Sequence, residues 1–200
     1  NDVAATVGVV RDTFEQGVTR SLDWRRGQLE ALSAMLSDHE SEFASALAAD
    51  LGKSAIESWT TEIGFSISDI DHQLSNLTSW AAPRKVSLPL MFRPGSARVV
   101  PEPKGVALVI APWNYPVQLL VAPMAAAIAA GNAVVAKPSE RAPATSEALS
   151  RYCAEYLDQQ AVRVVEGGVD TSTALLEQRF DHIFFTGGTR VGKVVMRAAA

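Results

Sequence analysis

From residue 105 onward, apolar runs of strand length alternate with helical segments, and this alternation restricts the possible folds more than any other feature of the sequence. The run at 106–110 contains only valine, alanine, leucine and isoleucine, which is typical of a parallel strand covered on both faces. Repeated strand–helix units favour right-handed crossovers and a doubly wound parallel sheet. The predicted strands are 106–110, 133–136, 162–165 and 182–185, and the predicted helices are 119–130, 144–159, 171–178 and a last one still running at Ala200.

The first 83 residues predict a layer of helices. Apolar residues recur there every three or four positions, as one buried helix face requires. We expect one helix to carry Leu29 through Leu47 and to end at Gly52. Ser54 has the form of a capping residue and predicts the start of a third helix, which Pro83 stops. Its inward residues are predicted to be Trp59, Ile63, Ile67, Ile70, Leu74 and Leu77.

Prolines punctuate residues 84–104 and indicate a different kind of structure. Proline is tolerated at the edge of a sheet and not at its centre, so this segment predicts a β ribbon, with a linker as the alternative. The sequence therefore divides into a helical part at 1–83, a proline-rich ribbon at 84–104 and a βα sheet at 105–200.

Charge and composition exclude several classes of protein. The net charge is −4 and no long basic run occurs, which argues against nucleic acid as the main partner. Residues 105–136 carry no charged side chain, but prolines, asparagines and a glycine interrupt them, so no membrane span is predicted. No signal peptide is visible. The single cysteine, Cys153, excludes a disulfide framework within the chain and a Cys-rich zinc site, and we expect a cytoplasmic protein without a metal.

The turn after the first predicted strand holds Asn114 between two prolines. In open α/β sheets, ligands bind at the carboxyl ends of the strands. An amide donor in a rigid turn suits an oxyanion hole, where a preplaced N–H group meets charge that develops during a reaction. The alternative is an Asx-type turn in which Trp113 and Tyr115 serve only in packing.

Two charged residues, Lys137 and Glu140, follow the second predicted strand. A lysine there can reach phosphate or ribose oxygens, and a carboxylate three residues later can accept from ribose hydroxyls. Alternatively, Ser139 or Glu140 simply starts the next helix beside a solvated lysine.

A glycine-rich turn, residues 186–192, joins the fourth predicted strand to the last helix. Glycines there let backbone N–H groups approach phosphate, and the positive end of the helix dipole helps. The turn matches neither the G-x-G-x-x-G pattern nor the lysine-bearing P-loop, so a plain tight turn is the alternative. Three such strand ends in one sheet are a stronger signal than any one of them.

These motifs resemble those of the aldehyde dehydrogenase superfamily in their order and separation. Two further segments, VVEGGV at 164–169 and RFDHI at 179–183, look most like the class 3 branch, which handles fatty and aromatic aldehydes. The resemblance covers essentially the whole chain. The motifs are APWNYP at 111–116, GNAVVAKPSE at 131–140 and FTGGTRVGK at 185–193.

The resemblance implies a Rossmann-like cofactor-binding domain and a role for each motif. It implies that Asn114 donates its amide to the oxyanion of a thiohemiacetal. It also implies an NAD site, with NADP possible, because a carboxylate at position 140 repels a 2′-phosphate while Lys137 attracts it. The ribbon is similar to the part through which family members dimerise, which implies a homo-oligomer. The implied cofactor-binding residues are Trp113, Lys137, Glu140, Gly187, Gly188, Thr189, Val191 and Gly192.

The implied reaction is the NAD(P)-dependent oxidation of an aldehyde to its acid through a cysteine thioester. Cys153 is not the expected nucleophile, because a free cysteine in the middle of a helix is usually a small buried hydrophobe. We expect the nucleophile and the activating glutamate beyond Ala200, and 200 residues alone to be inactive. The alternatives are a reductase of acyl-CoA or acyl-phosphate with the same fold and a non-catalytic nucleotide-binding fragment.

Overall fold

The computed structural model describes residues 2–200, which form an α/β fold. The helices are α1 (Val3–Glu15), α2 (Leu22–Asp38), α3 (Glu40–Leu51), α4 (Ala55–Ser58), α5 (Gly64–Ala81), α6 (Gln118–Ala129), α7 (Pro143–Tyr156), α8 (Val169–Leu176) and α9 (Thr189–Ala199). The strands are β1 (Arg84–Val86), β2 (Ala97–Val99), β3 (Val106–Ile110), β4 (Ala133–Lys137), β5 (Val162–Val164) and β6 (His182–Phe185). A π-helical turn, Trp59–Ile63, joins α4 to α5.

Within residues 2–200, four parallel strands form the central sheet, in the order β5-β4-β3-β6. The chain winds outward from β3 through β4 to β5, and then crosses back to place β6 on the other side of β3. This arrangement confirms the predicted doubly wound sheet. The winding direction reverses between β3 and β6, and such a switch point opens a crevice at the carboxyl ends of the strands.

Apolar layers cover both faces of the sheet, which explains why β3 and β4 are buried along their whole length. Successive residues of a strand face opposite sides. Val109 accordingly belongs to the core shared with α2, α5, α6 and α7, whereas Leu108 belongs to the core shared with α1 and α8. The predicted helical layer is therefore split, with α1 on one face and the helices that follow it on the other.

Two predictions for the helical part were wrong. The stretch from Leu29 to Leu47 is not one helix, because His39 leaves the helical conformation and its ring stacks on Tyr152 at 3.7 Å between centroids. The apolar periodicity continues across this break because α2 and α3 bury faces in the same core. Trp59 does not point inward but is 49% exposed, since it lies in the π-helical turn that alters the rotation of the chain.

The proline-rich segment forms the predicted β ribbon. Strands β1 and β2 pair antiparallel, with Arg84 opposite Val99. Every residue of β1 is exposed, and the 3₁₀ turn Leu90–Phe92 between the strands exposes three large apolar side chains. The division of the chain into domains and the role of the ribbon in oligomerisation stay predictions.

Candidate functional site

The three sequence motifs meet at one edge of the sheet. Ile110 is the last residue of β3, and it lies opposite Lys137 on one side and Phe185 on the other. The backbone N–H of Ala111 donates to the carbonyl of Lys137 at 3.1 Å, and the N–H of Thr186 donates to that of Ile110 at 3.0 Å. The turn at 111–116, the segment at 137–140 and the glycine-rich turn therefore all begin at the carboxyl ends of adjacent strands.

The turn at 111–116 presents an unengaged amide. Trp113, Asn114 and Tyr115 are exposed, while Pro116 is buried and anchors the turn. Among residues 2–200, no hydrogen bond joins the Asn114 side chain to another protein group. The Asx-type turn that was the alternative for this motif would require such a bond to the backbone. The side-chain N–H groups of Asn114 are thus available to a ligand at this edge.

Two residues that the sequence did not indicate, Lys53 and Glu62, bind the backbone of this turn from the protein interior. The carboxylate of Glu62 accepts from the backbone N–H of Val117 at 2.8 Å and is completely buried. The Lys53 ammonium donates to the Asn114 carbonyl at 3.1 Å and to Glu62 at 2.5 Å. More than fifty positions separate Asn114 from each of them, so no local pattern signals the contact.

Lys137 and Glu140 form an ion pair beside the turn. The Lys137 ammonium donates to the carbonyl of Pro138 at 3.0 Å and lies 3.4 Å from a carboxylate oxygen of Glu140. Lys137 is only 2% exposed, so it is not the solvated lysine of the alternative interpretation. Burial disfavours the ionised form of Glu140, but its own backbone N–H and the Lys137 charge outweigh this, so the pKa of Glu140 is lowered. Glu140 therefore presents a negative charge at neutral pH.

Helix α7 does not begin at Ser139 or Glu140. It begins at Pro143, and its first free N–H groups, on Ala144 and Thr145, donate to the carboxylate of Asp50 at 3.1 and 2.8 Å. Asp50 lies near the end of α3 and caps α7 from outside. Lys137 and Glu140 are therefore not needed to start this helix.

The glycine-rich turn leaves the beginning of α9 without a side-chain cap. Gly188 is the N-cap residue, and among the residues that the structure describes no side chain accepts from the first turn of the helix. Gly187, Gly188, Thr189 and Val191 are exposed, while Gly192 is half-buried. Uncapped N–H groups and the helix dipole together form a binding position for an anion.

At Gly187 the backbone passes close to the ring of Phe185. A Cβ atom built on Gly187 would overlap the ring of Phe185, whereas one on Gly188 would meet open space. The glycine lets the chain turn tightly over the end of β6.

The side chains of Lys137 and Glu140 and the free N–H groups of α9 thus lie at one edge of the sheet. Together they are suited to bind ribose hydroxyls and phosphates.

Cys153 is remote from this chemistry. Cys153 lies on the buried face of α7 and is 1% exposed, and its sulfur is 3.8 Å from the sulfur of Met35 in the core. Burial raises the pKa of the Cys153 thiol to about 12, so the thiolate that a nucleophile requires does not form at neutral pH.

Within residues 2–200, no three His, Cys, Asp or Glu side chains are placed to hold a metal ion.

Two grooves lie away from the strand-end edge. One, of about 320 Å³, lies between α6 and the exposed face of β6, and includes His182 and Phe184. The other, of about 390 Å³, lies between α5 and α6, and includes Trp80. Neither contains Asn114, Lys137 or the glycine-rich turn.

No helix of the described part of the chain is long and apolar enough to span a bilayer.

Known proteins are similar to this chain in both sequence and fold. The chain is 48% identical over 191 residues to aldehyde dehydrogenase family 3 member H1 of Arabidopsis thaliana, covering 96% of this chain and 40% of that protein. It is 49% identical over 191 residues to family 3 member B1 of Rattus norvegicus, covering 96% of this chain and 41% of that protein. It is 45% identical over 199 residues to family 3 member I1 of A. thaliana, a chloroplastic protein, covering 100% of this chain and 36% of that protein.

A solved structure, the substrate-bound state of Staphylococcus aureus AldH, superposes with a TM-score of 0.97 at 36% identity, covering 100% of this chain and 43% of that one. The chain thus spans about two fifths of the length of these relatives. A model of the Aldehyde dehydrogenase family matches residues 1–200. The chain belongs to the aldehyde dehydrogenase family.

Proposed function

We propose that this chain supplies the cofactor site and the oxyanion donor of an NAD(P)-dependent enzyme that oxidises an aldehyde to a carboxylic acid. The observation that carries the proposal is the meeting of three motifs at one sheet edge, with the Asn114 amide unengaged among the described residues. Ile110 joins the three strand ends directly. Membership of the family supports aldehyde oxidation as the reaction.

Asn114 has the role of electrostatic stabiliser in this proposal. When a cysteine sulfur adds to the aldehyde carbon, the carbonyl oxygen becomes an oxyanion, and the side-chain N–H of Asn114 donates to it. A donor fixed before the reaction stabilises such charge without reorganising. The buried, protonated Cys153 cannot provide the sulfur, so the proposal assigns the nucleophile to a residue outside these 200.

The cofactor would be held by Lys137, Glu140 and the uncapped beginning of α9. A nicotinamide cofactor held there would supply the hydride acceptor for the oxidation. The N–H groups of the first turn of α9 suit a pyrophosphate, and Trp113 lies exposed beside the same edge. Since the lowered pKa keeps Glu140 ionised, the carboxylate would repel a 2′-phosphate, so we propose NAD as the preferred cofactor.

The resemblance to the class 3 branch leads us to propose fatty or aromatic aldehydes as substrates. The ribbon supports a homo-oligomer, because Leu90, Met91 and Phe92 are 80%, 82% and 61% exposed there. Exposed apolar patches of this kind commonly mark interfaces. The cytoplasmic location stays a prediction.

A spectrophotometric assay of NAD and NADP reduction by the full-length protein tests the proposed function. The substrates are short-chain, long-chain and aromatic aldehydes, with acid formation followed in parallel. We expect one acid per reduced cofactor and faster turnover with long-chain or aromatic aldehydes. Activity only with acyl-CoA or acyl-phosphate and reduced cofactor would support the reductase alternative. Cofactor binding without turnover of any substrate would support the non-catalytic alternative.

A further inference from the structure

A buried ion pair, Lys53 and Glu62, lies directly under the turn that carries Asn114. Glu62 is completely buried and Lys53 is 8% exposed. Removing two charges from water is costly, and apolar residues of similar size often stabilise a fold as well or better. A contribution to stability therefore does not explain well why this ion pair is buried. Its contacts with the turn indicate a different role, which is to position the turn.

Glu62 fixes the end of the turn at which α6 begins. One carboxylate oxygen accepts from the ammonium of Lys53, and the other accepts from the backbone N–H groups of Val117 and Gln118 at 2.8 and 3.1 Å. The first N–H groups of a helix lack partners within the helix and attract negative charge. Among the described residues, no side chain of the turn itself caps α6, so Glu62 supplies this charge from another helix.

Lys53 fixes the middle of the same turn. Its ammonium donates to the backbone carbonyl of Asn114 at 3.1 Å and lies 4.0 Å from the centroid of the Tyr115 ring. Residues 105–136 have no charged side chain of their own, so every charge that orients the turn must come from elsewhere in the chain. The pair thus holds backbone groups on both sides of Tyr115.

The π-helical turn explains how Glu62 reaches the interior. In this turn the N–H of Gly64 donates to the carbonyl of Trp59, five residues back, which widens the helix. Trp59 is turned outward, while Glu62 and Ile63 are completely buried. Single π turns inside α-helices occur frequently at functional sites.

We propose that Lys53 and Glu62 are positioning residues that hold the Asn114 amide in place for the oxyanion, an inference that rests on the proposed function. The ion pair holds the Asn114 carbonyl and the Val117 and Gln118 N–H groups, and because these contacts involve only backbone groups of the turn, they leave the Asn114 side chain available. Loss of these contacts would shift the Asn114 amide without removing it.

The first test measures hydrogen–deuterium exchange in the full-length protein carrying Lys53→Met. We expect the amides of residues 113–121 to exchange about tenfold faster or more, while those of β4 keep their wild-type rates. The matched control is Arg11→Met, which breaks the ion pair between Arg11 and Asp181 (3.1 Å) near the opposite end of β3 and should leave residues 113–121 unchanged. Equal acceleration throughout the protein, or none in the turn, would overturn the proposal.

The second test is a double-mutant cycle in kcat, normalised to active sites, with the aldehyde oxidation assay. Lys53→Met should lower kcat by about 10–100-fold, because a misplacement of 1 Å can cost as much as 10²-fold. In an Asn114→Ala background the same change should lower kcat less than about twofold, since residues that act as a unit are not additive. Equal losses in both backgrounds would show a merely structural role and overturn the inference.

A folding failure is addressed by the variant Lys53→Met/Glu62→Gln, which carries no uncompensated buried charge and keeps an oxygen for the N–H groups of α6. It is expected to show the same exchange and kinetic behaviour as Lys53→Met. If the wild-type protein oxidises no aldehyde, the proposed function fails, and the exchange experiment alone decides whether the pair positions the turn. If the wild type is active and both variants match it, only the positioning inference fails.

Discussion

Replacing Asn114 with alanine is expected to lower catalytic activity with little effect on stability. The substitution removes the side-chain amide and leaves the backbone carbonyl that Lys53 binds. Because the Asn114 side chain is exposed and makes no hydrogen bond among residues 2–200, its loss removes no native contact of this kind. We expect the free energy of unfolding to change by no more than about 0.5 kcal/mol.

The expected effect on catalysis is much larger. Removing one donor from an oxyanion hole lowers kcat by about 10²–10³-fold, which corresponds to about 2.7–4 kcal/mol of transition-state stabilisation. The KM for the aldehyde should change far less, because the charge on the oxygen is absent in the ground state.

Asn132 provides the matched control. Its side-chain oxygen accepts from the N–H groups of Lys104 and Gly105 at 2.8 and 3.1 Å, and its amide nitrogen donates to the carbonyl of Ala127 at 3.1 Å. Losing three hydrogen bonds at about 0.5–1.5 kcal/mol each predicts a destabilisation of about 1.5–4.5 kcal/mol for Asn132→Ala. Asn132 directly precedes β4, at the opposite edge of the sheet from the carboxyl ends of the strands, so kcat per active site should stay at the wild-type value.

The two variants are compared in the full-length protein by chemical denaturation and by steady-state kinetics normalised to active sites. We expect opposite outcomes, with activity lost in Asn114→Ala and stability lost in Asn132→Ala. A wild-type kcat for Asn114→Ala would remove Asn114 from the oxyanion site, and a large loss of stability would show that its amide is engaged after all.

Three further predictions concern the cofactor edge and the core. Glu140→Gln should raise kcat/KM for NADP relative to NAD, since an uncharged amide no longer repels the 2′-phosphate, and an unchanged ratio in steady-state kinetics would remove Glu140 from the ribose site. Gly187→Ala should destabilise the protein by about 1–3 kcal/mol in chemical denaturation, because the new methyl group overlaps the Phe185 ring, whereas Gly188→Ala should stay within about 0.5 kcal/mol; similar values for both would contradict the close approach. An ordinary cysteine has a pKa of 9.0 and folded Cys153 one of about 12, so its stabilising contribution is present below pH 9 and is lost as the pH rises towards 12. The difference in unfolding free energy between the wild type and Cys153→Ala should therefore shrink over this range, and a constant difference would show that the thiol is not desolvated.

The βα part of the fold is predictable from sequence because its signals are local. The apolar runs at 106–110 and 182–185 are the strands β3 and β6 with the same bounds. Turn residues separate each run from the next helix, and parallel topology follows from the lengths of the connections. The sequence placed each of the three motifs at the end of a strand in one sheet, but only the strand order of the structure shows that these ends are adjacent.

The side chains that hold the backbone of the site in place cannot be predicted from such local signals. A period of 3.6 residues cannot reveal that a π turn inserts a residue, so the burial of Glu62 and the exposure of Trp59 were both missed. Lys53 and Asp50 likewise act on backbone groups 61 or more positions away. Such contacts arise from tertiary packing, and no motif in the sequence encodes them.

The proposed function depends on the three strand ends forming one cofactor and oxyanion site. A crystal structure of the full-length protein with bound NAD tests it most directly. We expect the pyrophosphate at the first N–H groups of α9, the adenosine ribose at Lys137 and Glu140, and the Asn114 amide facing the reacting carbon. Cofactor bound elsewhere, for instance in the groove between α6 and β6, with the strand-end edge free of contacts, would contradict it.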